Sequence, residues 1–134
     1  CTGFPDAQSF SSFSGRQLEI LELSKKNNGN VTESIVSKVG KKLHQKTDHP
    51  LQIIKSRIEQ YFLQTYQKDG RSLFAIYDDL DPVVPVKQCF DDLLTPANHV
   101  SRSPNDTYYV GPEQLLRTHM TAHQTQLIRE GQTA

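Results

Sequence analysis

His49-Pro50 opens the one long stretch of this chain whose apolar residues repeat at helical spacing. Leu51, Ile54, Ile58, Tyr61 or Phe62, and Thr65 fall on one stripe, with Lys55, Arg57, Glu59 and Gln60 largely elsewhere. Proline suits the first turn of a helix, because the N–H it lacks would have no partner there. Asp48 or His49 is the expected cap, and Lys68-Asp69-Gly70 the expected end. Everything after that helix is short. Leu73 to Tyr77 reads as a strand, branched and aromatic between Gly70 and Asp78-Asp79. Pro82 and Pro85 bracket Val83-Val84, and proline cannot donate to a ladder, so an edge strand or a bend is expected. Cys89-Phe90 and Leu93-Leu94 flank Asp91-Asp92 as a helical turn or an extended hairpin. Thr95 to Asp106 is loop by composition, and Tyr108-Tyr109-Val110 and Leu115-Leu116-Arg117 read as two more strands. Helices flanking separated short strands predict an α+β layer with antiparallel pairing.

Upstream, Thr32 reads as an N-cap for a helix carrying Ile35, Val36, Val39 and Leu43, shortened or bent at Gly40. The polar run from Lys25 to Asn30 reads as a linker. It divides an N-terminal extension, 1–29, from a domain over 30–134. Within the extension, Cys1 to Gly15 reads as a disordered lead-in and Arg16 to Leu23 as a short strand or helical turn.

A chain of 134 residues can form one domain with a real core. Its formal charge is zero, so no whole-chain attraction to nucleic acid or membrane follows. The charge is unevenly placed. From Lys25 to Arg57 eight basic residues stand against two acids, and from Asp69 to Asp92 six acids stand against two bases. A solvated bipolar surface is the ordinary reading of such blocks, and a phosphate-facing patch the sharper one. Cys1 and Cys89 make no disulfide framework and no C-x-x-C motif, which favours a reducing compartment. Two glycosylation sequons, at Asn30 and Asn105, point the other way, although so short a motif arises readily by chance. No apolar run approaches the roughly 20 residues of a membrane span. A chain that begins with Cys1 reads as a mature form or a piece of a longer one.

The richest chemistry lies between Leu115 and Gln124. Thr121-x-x-Gln124 has the spacing of a capping box, with Gly131 where a helix C′ residue belongs. A helix starting at Thr121 would set its free N–H groups beside Arg117, His119 and His123, an arrangement suited to an anionic or zwitterionic small molecule. A plain capping box with solvent-exposed histidines explains the same residues. His119-x-x-x-His123 has the spacing of a zinc pair, but Met120 stands where a protease glutamate would, and no third ligand is near. The threonines and histidines lack a nucleophile elbow or triad order. The seven glycines form neither phosphate-binding fingerprint.

Several segments together resemble phenylalanyl-tRNA synthetase in its single-chain mitochondrial form. They stand here as Lys38-Val39-Gly40-Lys41-Lys42-Leu43-His44, His49-Pro50-Leu51, Tyr77-Asp78-Asp79-Leu80-Asp81-Pro82-Val83-Val84, Phe90-Asp91-Asp92-Leu93-Leu94 with Pro96, Asp106-Thr107-Tyr108-Tyr109, and the run ending at Gln124. The resemblance implies part of a class II synthetase catalytic core, an antiparallel sheet with flanking helices, in which the Pro50 helix and the strand near Pro82 look like motif 1. It implies activation of L-phenylalanine with ATP and Mg2+, then esterification of tRNA(Phe), by a monomer of the mitochondrial matrix. It also implies that Thr121, Ala122, His123 and Gln124, with His119 just upstream, contact the amino acid, while Arg117 orients its strand or pairs with an acid. Thr121 stands where the family usually has serine, Met120 where it has threonine, and Val100 where it has proline. The family's motifs 2 and 3 and its anticodon-binding domain would follow Ala134, so the chain reads as an N-terminal fragment, catalytically incomplete alone. The rival reading is a non-catalytic RNA- or protein-binding module that uses the basic segment.

Overall fold

The computed structural model describes residues 13–131. Most of the expected disordered lead-in lies outside them, and its last residues, Ser14 and Gly15, begin a helix.

Helix α1 (Gly15–Lys26) is a full 12 residues, where a strand or single turn was the expectation. Its start is a capping box. Ser14 Oγ accepts from the Gln17 N–H, and Gln17 Oε1 accepts from the Ser14 N–H at 2.8 Å. Lys25 and Lys26 occupy the last turn, where cations complement the helix dipole. The Gln17 amide also donates to the carbonyls of Val36 and Val39, tying α1 to the one-turn helix α2 (Glu33–Val36). Thr32 stands at the N-cap of α2, as its sequence suggests, but its side chain makes no capping bond.

Between these helices the polar run is a tight joint and not a free linker. Gly29 packs so closely on Ser24 and the carbonyls of Tyr109 and Val110 that no side chain fits there. Asn30 then clips three distant groups: its amide donates to the carbonyls of Pro104 and Thr107, and its Oδ1 accepts from the Tyr109 N–H. Residues 13–29 therefore share their core with the residues that follow.

Helix α3 (Pro50–Thr65) begins as expected, with His49 Nδ1 accepting from the Leu51 N–H at 3.2 Å. Its apolar stripe is present but not covered. No α3 residue is buried, and Ile54 and Ile58 are more than half exposed. A two-residue hairpin follows, β1 (Gln67–Lys68) with β2 (Arg71–Ser72), turned by Asp69 and Gly70 at φ of 53° and 74°. Positive φ at both turn residues matches the right-handed twist of paired strands. The strand expected over Leu73 to Tyr77 does not form: beyond Ser72 that segment joins no ladder among the described residues. Phe74 instead packs on Phe62 and Tyr66, with ring centroids 5.1 and 5.6 Å apart.

The centre of the fold is the antiparallel pair β3 (Val83–Pro85) and β4 (Gln114–Leu116). The period-two alternation of strands sends its residues to two clusters. Val83 and Leu116, opposite each other, pack against Ile20, Leu21, Val31, Val36 and Val110. Val84 and Leu115, the next pair, lie in a second cluster with Cys89, Phe90 and Ala122. Both prolines fall at the limits of this short edge pair, as their missing donors require. The one-turn helix α4 (Val86–Cys89) and a 3-10 turn over Asp91–Leu93 take the helical of the two expected forms. Cys89 is a buried free thiol. Tyr108 to Val110 contributes only a single bridge, Tyr109 to Leu115, and no strand of its own. Helix α5 (Gln124–Arg129) completes a partial α+β core.

Candidate functional site

The run from Arg117 to Gln124 leaves β4, crosses the end of the sheet and turns into α5. Arg117 is fixed first. Its N–H donates to the Pro82 carbonyl at 2.8 Å, and its guanidinium reaches the carbonyls of Leu80 and Asp81 at 3.0 and 3.4 Å. Burial draws the Arg117 pKa below its ordinary value, offset in part by Asp81. The guanidinium thus orients its strand through carbonyls, one of the two roles expected of it.

The expected capping box over Thr121 and Gln124 is absent. Met120–His123 forms a 3-10 turn, and α5 starts only at Gln124, with no side-chain cap. A competing partner explains this: Thr121 Oγ1 sits 2.5 Å from His119 Nδ1. A hydroxyl engaged with a side chain two residues back is withdrawn from the backbone donors ahead of it. Helix α5 is also too short for its dipole to govern anion binding. The end of α5 does follow its sequence, with Gly131 at φ 71° just past the last turn.

The 3-10 turn divides the candidate residues between two faces. Ala122 and His123 point inward, at 0% and 5% exposure. Thr121 and Gln124 point outward and, with Met120, Leu127 and Ile128, line an open depression of about 420 Å³. His119 joins that face through Thr121. His123 is correspondingly turned away from it. Its Nε2 meets the Asp81 carbonyl at 3.2 Å, and its Nδ1 lies 3.3 Å from both Gln88 Nε2 and Gln126 Oε1. The two histidines of the zinc-pair spacing therefore face opposite ways, and no group of three metal-ligating side chains occurs among the described residues.

A second cleft, of about 590 Å³, lies between the Lys38–His44 segment and residues 78–82. Here the basic and acidic blocks of the sequence meet each other. Lys42 pairs with Asp79 at 2.6 Å and Lys55 with Asp78 at 2.8 Å, while Arg16, from α1 and outside the basic block, pairs with Asp81 at 2.7 Å. Sequence reading passed over Arg16, Asp81 and Gln88 as functional residues. The only signal for the ion pairs was the opposite sign of the two blocks, which does not say that they fold together.

The family model described as tRNA synthetases class II core domain (F) matches residues 33–134. This chain belongs to that family. Its fold is accordingly a partial class II synthetase core, and β3 and β4 are antiparallel strands of it. Over 107 residues the chain is 54% identical to a protein of Dictyostelium discoideum named phenylalanine–tRNA ligase, mitochondrial, covering 80% of this chain and 23% of that one. A Drosophila melanogaster relative, named probable phenylalanine–tRNA ligase, mitochondrial, is 52% identical over 76% of this chain and 23% of its own length. The Rattus norvegicus protein of the same mitochondrial name is 44% identical over 90% of this chain and 26% of its own. The chain thus spans about a quarter of the length of these curated relatives. Helix α1 and Arg16 lie upstream of the matched core domain. No helix among the described residues is long and apolar enough to cross a membrane.

Proposed function

We propose that this chain is the opening part of the catalytic domain of a mitochondrial phenylalanine–tRNA ligase, acting as a monomer in the matrix. The reaction is ATP, L-phenylalanine and tRNA(Phe) to phenylalanyl-tRNA(Phe), AMP and diphosphate. The observation that carries this reading is the match, at 44% to 54% identity over most of the chain, to relatives of that name. Within the chain the phenylalanine contacts are His119, Thr121 and Gln124, on the exposed side of the 3-10 turn. Hydroxyl, imidazole and amide can take the ammonium and carboxylate of an amino acid, while Met120, Leu127 and Ile128 offer apolar surface. Ala122 and His123, named with them on sequence grounds, support the turn from the core side.

The chemistry needs cations on the phosphate that is attacked. Among the described residues no group of three metal-ligating side chains occurs that would hold Mg2+. The rival reading, a non-catalytic RNA- or protein-binding module that uses the basic segment, is weakened on its RNA side, because Lys42 and Lys55 already hold acids of the same chain.

The test is phenylalanine-dependent exchange between ATP and pyrophosphate. The natural protein containing this chain supports exchange with phenylalanine in preference to other amino acids, and the 134-residue chain alone does not. Exchange driven by a different amino acid would overturn the reading. Exchange by the isolated chain would overturn its catalytic incompleteness.

A further inference from the structure

The loop that carries His119 and Thr121 is fastened at both ends to one backbone oxygen. Arg117 Nη1 donates to the Asp81 carbonyl at 3.4 Å, and His123 Nε2 donates to the same oxygen at 3.2 Å. A carbonyl only accepts, so Nε2 is the nitrogen that carries the proton. Nδ1 lies 3.3 Å from both Gln88 Nε2 and Gln126 Oε1, and a ring protonated at Nε2 alone donates nothing to Gln126 there and accepts from the Gln88 amide. The other hydrogen of that amide goes to Gln126 Oε1 at 3.1 Å. Both ring nitrogens are thereby used by the protein. Asp81 is itself held in place, since its carboxylate accepts two bonds from Arg16 and one from the Val83 N–H.

We propose that His123 is a positioning residue of the amino-acid site. Locked as the Nε2–H tautomer on the Asp81 carbonyl, it sets the rotation of the Met120–His123 turn, and with it the aim of Thr121 and Gln124. The geometry leaves little slack. A 3-10 turn repeats every three residues, so Thr121 and Gln124 share one face, and burying His123 on the other sets that face outward. Rotating the turn moves both side chains together, and a misplacement of about 1 Å is enough to weaken a site. This inference rests on reading Thr121 and Gln124 as phenylalanine contacts; the tautomer does not.

Two measurements test it. In 15N-labelled protein at neutral pH, imidazole 15N–1H correlations should show His123 with a protonated Nε2 and an unprotonated Nδ1. An Nδ1–H tautomer, or a freely exchanging mixture, overturns the proposal. In the natural protein, His123→Leu should raise the phenylalanine KM about tenfold in the exchange assay with kcat within about twofold, the scale of one lost hydrogen bond. His123→Gln, which can return a donor to the Asp81 carbonyl, should recover most of that loss. An unchanged KM in folded His123→Leu, or no recovery in folded His123→Gln, overturns it. Should His123→Leu fail to fold, the His123→Gln kinetics and the tautomer decide. Absence of phenylalanine-dependent exchange in the wild-type protein would sink the ligase reading and leave the tautomer assignment standing.

Discussion

Lys55 Nζ lies 2.8 Å from Asp78 Oδ2, joining the exposed helix α3 to the irregular segment that leads into β3. Glu59, one helical turn on, holds the same ammonium at 2.5 Å. The hydrogen bond from Lys55 is the largest of the effects that hold the Asp78 carboxyl below its ordinary value, followed by one from Gln45. Lys55 is raised in turn, first by Asp78 and then by Glu59. A carboxyl with a lowered native pKa stabilises the fold fully above its unfolded value, near pH 4. That contribution is lost as pH falls through the lowered native value. Asp78→Asn should therefore flatten the acid limb of the stability curve below about pH 4 and cost less than about 1 kcal/mol near pH 7, as partly exposed pairs do. Urea midpoints across pH 2 to 7 check this, and an unaltered acid limb would contradict it.

Gly29→Ala should destabilise the chain. A Cβ at Gly29 would fall within 3 Å of the Tyr109 and Val110 carbonyls and of Ser24 Oγ. Two of those atoms are backbone and cannot rotate away. The expected cost is about 1–3 kcal/mol, typical of overpacking. Thermal melts of the two proteins measure it, and equal melting temperatures would show that the joint after α1 is looser than its geometry.

Asn30→Ala removes three hydrogen bonds that fasten this joint to the loop ending at Tyr109. Partly buried carbonyls and an N–H are left without that partner, so a loss of about 1–3 kcal/mol is expected. Amide hydrogen exchange gives the sharper readout. Protection of the Tyr109 N–H, which bonds Asn30 directly, should fall more than that of Val84 in the β3–β4 ladder. Uniform loss would mean that Asn30 acts on global stability alone.

In the natural protein, Gln124→Ala should raise the phenylalanine KM by about tenfold, the effect of one hydrogen bond to a charged group. Thr121→Val, which keeps the shape and removes the hydroxyl, should act in the same direction. Exchange kinetics at varied phenylalanine test both. Unchanged constants for Gln124→Ala would remove that residue from the site.

The contrast between two motifs of the same spacing shows how far local sequence reaches. Ser14-x-x-Gln17 and Thr121-x-x-Gln124 both have the spacing of a capping box, and only the first one forms. Among the described residues nothing competes for the Ser14 hydroxyl, whereas His119 takes the Thr121 hydroxyl and the core takes His123. The same distinction separates α3 from the segment after it. His49-Pro50 caps a helix with bonds internal to a few residues, so its start was legible. Leu73 to Tyr77 has strand composition, but a strand exists only beside a partner, and among the described residues no ladder extends to this segment.

What the sequence alone determined are the features whose physics is local or whose pattern is long. These are the His49 cap, the Gly131 terminus, the edge character of Val83 to Pro85, and the ordered segments that mark the class II family. Tertiary structure decided which of Thr121 to Gln124 face solvent, that α1 belongs to the core, and that the basic and acidic blocks pair with each other. Those outcomes depend on groups far apart in the chain, such as His44 with Asp78, 34 residues apart, and Arg16 with Asp81, 65 residues apart. Competition for a hydrogen-bond partner or a place in the core is settled only when distant segments meet.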